Sequence, residues 1–273
     1  MCVASGMRRD LTPFSLAEPG AAIPEGVCGA AVRIPASGVG TFQAIARTIV
    51  WPADAPDAEL SAIVPIAHKL CDLVTSAVLA DGAARGENTF CAPGCNFCCG
   101  YVVAASGAEI DFLLTVLAGL PAAVREPAEA FWRDLQDELE RKGITVLLDV
   151  AASRDEGWGA LGDFLQTRGL TCPLLDGAGR CSIYAARPVT CREFYSLGPA
   201  ARCIALDTPR LERPMSFNDV LVNLEARLGT REARMWELPT IAQHFDRTER
   251  PTFPPAHIAE PFAALVNKSP ISD

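Results

Sequence analysis

A chain of 273 residues, 49% of them hydrophobic, is long and apolar enough to bury a core, which excludes a disordered protein. A formal net charge of -9 and an isoelectric point near 4.9 disfavour nucleic acid and anionic membrane surfaces as partners, since both call for a basic face. Residues 1–10 lack a positive end followed by an apolar stretch, and no run reaches the roughly 18 apolar residues of a membrane helix, so the cytoplasm is the expected compartment.

In chain order, residues 1–56 are rich in Pro, Gly and Ala and show little periodicity. They predict loops with short strands, such as one over 41–51. From Asp57 the apolar residues Leu60, Ile63, Val64, Ala67, Leu70, Cys71, Val74 and Val78 recur at three- and four-residue steps, which predicts an amphipathic helix ending near Gly82 and Gly86. Ser106 with Glu109 three residues on has the form of a capping box ahead of a helix carrying Ile110, Leu113, Leu114 and Leu117. Pro121 opens another helix with Ala128, Phe131, Trp132, Leu135 and Leu139 inward. Shorter helices are expected over 147–152 and 159–170, then over 216–228 and 232–245. Prolines beyond 250 predict an irregular tail. The expected fold is mainly α: an irregular helical domain with cysteine-rich, metal-binding loops between helices. Three parts are expected: an irregular N-terminal segment (1–56), a cysteine-cluster domain (57–205) and a C-terminal helical extension (206–273).

The chemistry lies in the 11 cysteines. In a reducing compartment, clustered thiols point to metal or catalysis rather than to disulfides. Cys2, Cys28 and Cys71 are scattered and read as small hydrophobes. The other eight form two groups: Cys91, Cys95, Cys98 and Cys99, then Cys172, Cys181, Cys191 and Cys203. Pro93 and Gly94 supply a turn that lets the first four sulfurs converge. Soft thiolates suit zinc, iron–sulfur clusters or copper(I) and hardly suit magnesium or calcium. Arg180, Arg187, Arg192 and Arg202 are interleaved with the second group, where their charge would offset that of a thiolate-bound metal. His68, His244 and His257 stand alone, with His68 the nearest to a metal-ligand position. No phosphate loop and no Gly-x-Ser-x-Gly elbow is present.

The segments Cys95-x-x-Cys98-Cys99, Cys172-Pro-Leu-Leu-Asp, Gly179-Arg-Cys181-Ser-Ile-Tyr184 and Arg187-Pro-Val-Thr-Cys191-Arg-Glu-Phe194 resemble the cysteine-cluster family of zinc- or iron-chelating, YkgJ-like proteins. The resemblance covers residues 90–200, and Cys91 departs from the family's usual spacing by one residue. Flagellin lysine N-methylases carry a similar cysteine domain. The resemblance therefore implies a [4Fe–4S] cluster or zinc and, for an enzyme, a cluster-dependent methyl transfer from S-adenosylmethionine to a protein substrate. The three-cysteine spacing of Cys91, Cys95 and Cys98 is also similar to that of radical S-adenosylmethionine enzymes. Helices and a second cysteine block follow it here, however, instead of alternating strands and helices. Two further readings stay open: a non-enzymatic, zinc-stabilised module that binds a partner, and a metal-handling protein.

Overall fold

The computed structural model describes residues 13–34, 43–89, 91, 94–144, 154–197, 213–230, 235–246 and 250–268. Cys2, Cys203, Arg202 and the helix expected over 147–152 lie outside these residues. Among the described residues the fold is mainly helical. Two of its three hydrophobic clusters meet around the cysteine loops.

The N-terminal part forms a sheet. Strands β1 (Ser15–Ala17), β2 (Val27–Ile34) and β3 (Ile45–Pro52) pair antiparallel in the order β1-β3-β2. The β3 strand overlaps the expected 41–51 segment and runs one residue past it. The full eight-residue pairing of β2 with β3, from Val27 opposite Pro52 to Ile34 opposite Ile45, was not visible as a period-two pattern. Its inner face carries Val32, Ile34, Ile49 and Trp51, all buried.

A short strand β4 (Ala58–Glu59) and a 3-10 turn (Leu60–Ile63) lead into helix α1 (Val64–Ala84). Leu60–Ala84 is the one candidate span, among the described residues, long and apolar enough to cross a membrane. Ile66, Ala67, Leu70, Cys71 and Val74 of this helix are fully buried in the main core. Strand β5 (Ala104–Ser106) runs into α2 (Gly107–Ala118), where the capping box forms as expected. Ser106 accepts from the Glu109 amide at 3.2 Å, and the Glu109 carboxylate accepts from the Ser106 amide at 3.2 Å. Helices α3 (Ala122–Arg141) and α4 (Arg154–Arg168) pack through Leu135, Leu139, Leu161, Phe164 and Leu165. A one-turn helix α5 (Val189–Glu193) carries Cys191, and α6 (Phe217–Leu228) starts at the Ser216 cap and ends at Gly229.

Two expectations are corrected. The segment 232–245 is no α-helix where it is described: strand β6 (Met235–Glu237) pairs with β5, and a 3-10 turn (Leu238–His244) follows. Pairing with a partner more than a hundred residues away overrides local periodicity there. The expected irregular tail is instead a two-residue strand β7 (Thr252–Phe253), paired with β4, and an α-helix α7 (Pro255–Lys268). Pro255 occupies the first helical position, where its missing N–H costs nothing. Pro261 lies inside α7 and removes one hydrogen bond, a cost of about 3 kcal/mol. Burial of Ile258, Phe262 and Val266, at about 1.5–3 kcal/mol each, exceeds it. The helix also covers the open edge of β2. Asn267 accepts from the Arg33 amide at 2.6 Å and donates to the Ala31 carbonyl at 3.0 Å.

Candidate metal centre

Both cysteine blocks are built from tight turns. In the first, Gly94 takes a φ of 92°, and residues Phe97–Gly100 form a 3-10 turn that sets Cys98 and Cys99 side by side. The Cys99 amide donates to Asn96 O at 3.0 Å, and the Tyr101 amide to Cys98 O at 3.1 Å. In the second block the chain doubles back between Leu174 and Ser182. The Asp176 carboxylate accepts from the amides of Ala178 and Arg180, both at 2.9 Å, and from Arg180 Nε at 3.0 Å. Ser182 N donates to Leu174 O at 2.8 Å, closing the turn. This brings Cys172 and Cys181 toward each other although nine positions separate them.

The blocks dock on one another. Cys172 N donates to Cys99 O at 2.8 Å. Gly179 has a φ of 73°, and a Cβ placed there would stand 2.7 Å from the Asn96 amide nitrogen. Glycine is thus needed at Gly179 twice over, for its backbone conformation and for the approach of the first block.

The turn carrying Cys191 is gripped from three sides. Glu109, almost wholly buried, accepts from the Val189 amide at 2.7 Å. Thr190 Oγ1 donates to Ala104 O at 2.6 Å. Arg192, 4% exposed, places its Nε 2.8 Å from Arg187 O, one terminal nitrogen 2.5 Å from Ala185 O, and the other 2.9 and 2.7 Å from the two Asp72 oxygens. One guanidinium therefore fixes the whole 185–192 turn to α1. The sequence marked Arg192 as a cation interleaved with the cysteines and Glu109 as a helix cap. Both roles are real, and both also serve the cysteine turn.

The outcome is one cavity of about 500 Å³ lined by Cys95, Cys98, Cys99, Cys172, Cys181 and Cys191. Six of the expected ligands thus meet. Cys91 is half-buried on the approach to the first block and does not line the cavity. Cys28 and Cys71 lie elsewhere, as expected of small hydrophobes: Cys71 is buried in α1 with its thiol 3.8 Å from Glu193 Oε1, and its pKa is pushed up to about 12, first by burial and then by that carboxylate. The nine described cysteines are free thiols. Among the described residues, no three Cys, His, Asp or Glu side chains already form a group that could hold a single metal ion.

Electrostatics single out four of the six. Burial raises Cys172 to about 11, and Cys181 and Cys98 add to it. Burial likewise raises Cys191, assisted by Cys98, Cys172 and Cys181. Cys98 is raised first by its hydrogen bond with Cys99 and then by burial. Cys181 is raised by burial. Cys172 and Cys191 thus feel the charge of Cys98 and Cys181, and none of the four is at ease as a bare thiolate. A cation among them would reverse that balance, because it favours the deprotonated form. Arg187 stands nearest to that role in the protein itself. Its guanidinium lies 4.2 Å from the Tyr184 ring centroid, and its charge eases Cys98, Cys181 and Cys191 toward the thiolate. The donor set is all sulfur, so it fits zinc or iron and does not fit a hard cation.

His68 is absent from the cavity. It is buried on α1 with Nε2 3.6 Å from Glu109 Oε1 and its ring edge-on to Phe112 at 5.6 Å. Of the aromatic residues in the second block, Tyr184 lines the cavity, while Phe194 packs on Tyr101 at 5.7 Å between ring centroids. Sequence reasoning missed the apolar lining from α3 and α4, including Phe131, Trp132, Leu135 and Leu165. Their helical period announced a buried face without saying what the face would meet.

The model of one family, CxxCxxCC, described as a "putative zinc- or iron-chelating domain", matches residues 90–204. No curated protein and no solved structure matches the chain.

Proposed function

We propose, from the premise that residues 90–204 are a domain of the zinc- or iron-chelating cysteine-cluster family, that Cys98, Cys172, Cys181 and Cys191 hold one metal centre and that this centre is an iron–sulfur cluster. The observation that carries the reading is the meeting of six thiols from two blocks some seventy positions apart around a single cavity. Cys95 and Cys99 flank the four and stand ready as alternative ligands.

Two features favour iron–sulfur over zinc. A structural zinc site is closed, with four ligands drawn in to about 2.3 Å from the metal. The cavity here is about 500 Å³, which leaves room for a polynuclear core. Its lining is also rich in apolar side chains, and such a shell limits water access and tunes the potential of a redox centre. When bound, a cluster of this kind supplies one-electron chemistry. The chain's own residues supply the rest. The four thiols bind, Arg187 offsets part of their negative charge, Arg192 and Glu109 hold the Cys191 turn in place, and Trp132 and Leu174 keep water from the inner wall. The family match extends to metal chelation and lends no support to methyl transfer.

Purification without oxygen, followed by an absorption spectrum and counts of iron, zinc and acid-labile sulfide, tests the reading. A brown protein with about four irons and as much sulfide per chain is expected for a [4Fe–4S] cluster. Colourless protein with stoichiometric zinc would replace the cluster by a structural zinc on the same thiols.

A further inference from the structure

The thiols account for only part of the cavity's wall. Its volume of about 500 Å³ falls within the roughly 300–1,000 Å³ typical of small-molecule sites. Much of the remaining lining is apolar: Tyr101, Val103, Phe131, Leu135, Leu165 and Leu170 all contribute. Tyr184, 49% exposed, lines it as well, so the cavity reaches the surface beside that ring. An apolar wall left to water forgoes free energy in proportion to its area, which an apolar guest recovers.

Charge narrows the class of guest. The single carboxylate in the lining, Asp176, is paired with Arg180 at 2.9 Å. Arg187 is the remaining cation, and it faces the thiols. Four thiolates around a centre of charge about +2 leave a net negative charge, of which one guanidinium offsets half. An anionic guest would meet the centre's excess charge at short range in a medium that screens poorly. Arg180 is already neutralised by Asp176 and Arg187 offsets only part of the centre's charge, so the cavity as a whole repels anions.

We infer that this cavity binds a largely apolar small molecule without negative charge alongside the metal centre. The charge argument rests on the proposed centre, whereas the apolar wall stands on the lining residues alone.

The uncharged dye N-phenyl-1-naphthylamine is the probe, added to the protein as purified without oxygen. Its anionic relative 1-anilinonaphthalene-8-sulfonate serves as the charge control. One uncharged dye per chain is expected, with enhanced and blue-shifted emission and quenching of Trp132. The sulfonate should bind at least about tenfold more weakly. Val103→Trp and Leu170→Trp each put an indole into the cavity, and each should weaken dye binding by about tenfold or more with metal content unchanged. Dye binding that is undiminished in both variants, or equal affinity for the sulfonate, overturns the inference. The metal count on the same samples separates this outcome from failure of the metal reading. Full metal without dye binding defeats the apolar site alone. Dye bound at Val103 and Leu170 in a chain that carries no metal keeps the apolar site and defeats the centre.

Discussion

The two cysteine blocks reach the same cavity by different means. The second block, 172–191, is held from outside itself: Glu109 of α2, Ala104 of β5 and Asp72 of α1 all grip the turn around Cys191. Among its described residues, the first block, 91–99, is held by its own 3-10 turn and by contacts with the second, the Cys99–Cys172 hydrogen bond and the packing of Asn96 over Gly179. The second block is therefore set by the folded protein, and the first is set by the second together with whatever the thiols bind. A site with one pre-positioned half and one adaptable half pays the ordering entropy mainly on the adaptable side.

This asymmetry can be broken most severely at a ligand. Cys191→Ser should abolish stoichiometric metal binding and lower the melting temperature of the holoprotein, because metal affinity is folding free energy. Cys95→Ser, in the adaptable block, should keep most of the metal. Metal counts and thermal melts on the two variants check this, and equal losses would erase the distinction between the blocks.

The next largest effect is expected at Arg192. Arg192→Lys keeps the charge facing Asp72 but cannot reach Ala185 O and Arg187 O together. A loss of about 2–3 kcal/mol is expected from urea unfolding, the range for hydrogen bonds made by a charged group. Metal content should fall with it, whereas Asp72→Asn, at a half-exposed carboxylate, should cost about 1 kcal/mol or less. Equal costs for the two variants would mean that the ion pair, and not the carbonyl contacts, holds the turn. A smaller effect is expected at the contact between blocks. Gly179→Ala should cost about 1–2 kcal/mol, because it forces a positive φ on alanine and presses its Cβ on Asn96. Combining it with Asn96→Ala should return the steric share and leave the backbone share.

The sequence carried the local elements and the ligand types, and lost what depends on distant pairing. The capping box at Ser106 and Glu109, the buried stripe of α1 and the Ser216 start of α6 are local patterns, and each stands where its residues put it. The β5–β6 pair and helix α7 depend on partners far along the chain, so propensity and prolines misled there. In the site, six of the eight cysteines that thiol spacing singled out line one cavity. Spacing could not show that Cys98, in the first block, lies near enough to Cys172 and Cys191 for its charge to act on both. Nor could it show that Glu109, a helix cap by sequence, also holds the Val189 amide on the far side of the fold.

The smallest expected effect tests whether the buried frame behind the second block is electrostatically quiet. Burial lowers the pKa of His68 from its ordinary 6.5 and Arg192 pushes the same way, while Glu109 opposes them. A histidine whose folded pKa is depressed is neutral in the native protein over a window in which the unfolded chain already takes up a proton. The unfolded state then binds more protons, so stability falls as pH drops through about 6.5 toward the lower folded value, and it is flat above that window. His68→Gln removes the titrating group, and the urea midpoint should lose this part of its pH dependence between about pH 5 and 7. An unchanged slope would mean that His68 does not carry the acid loss; Glu193, whose pKa burial raises, takes up its proton in the folded state first and so contributes with the opposite sign.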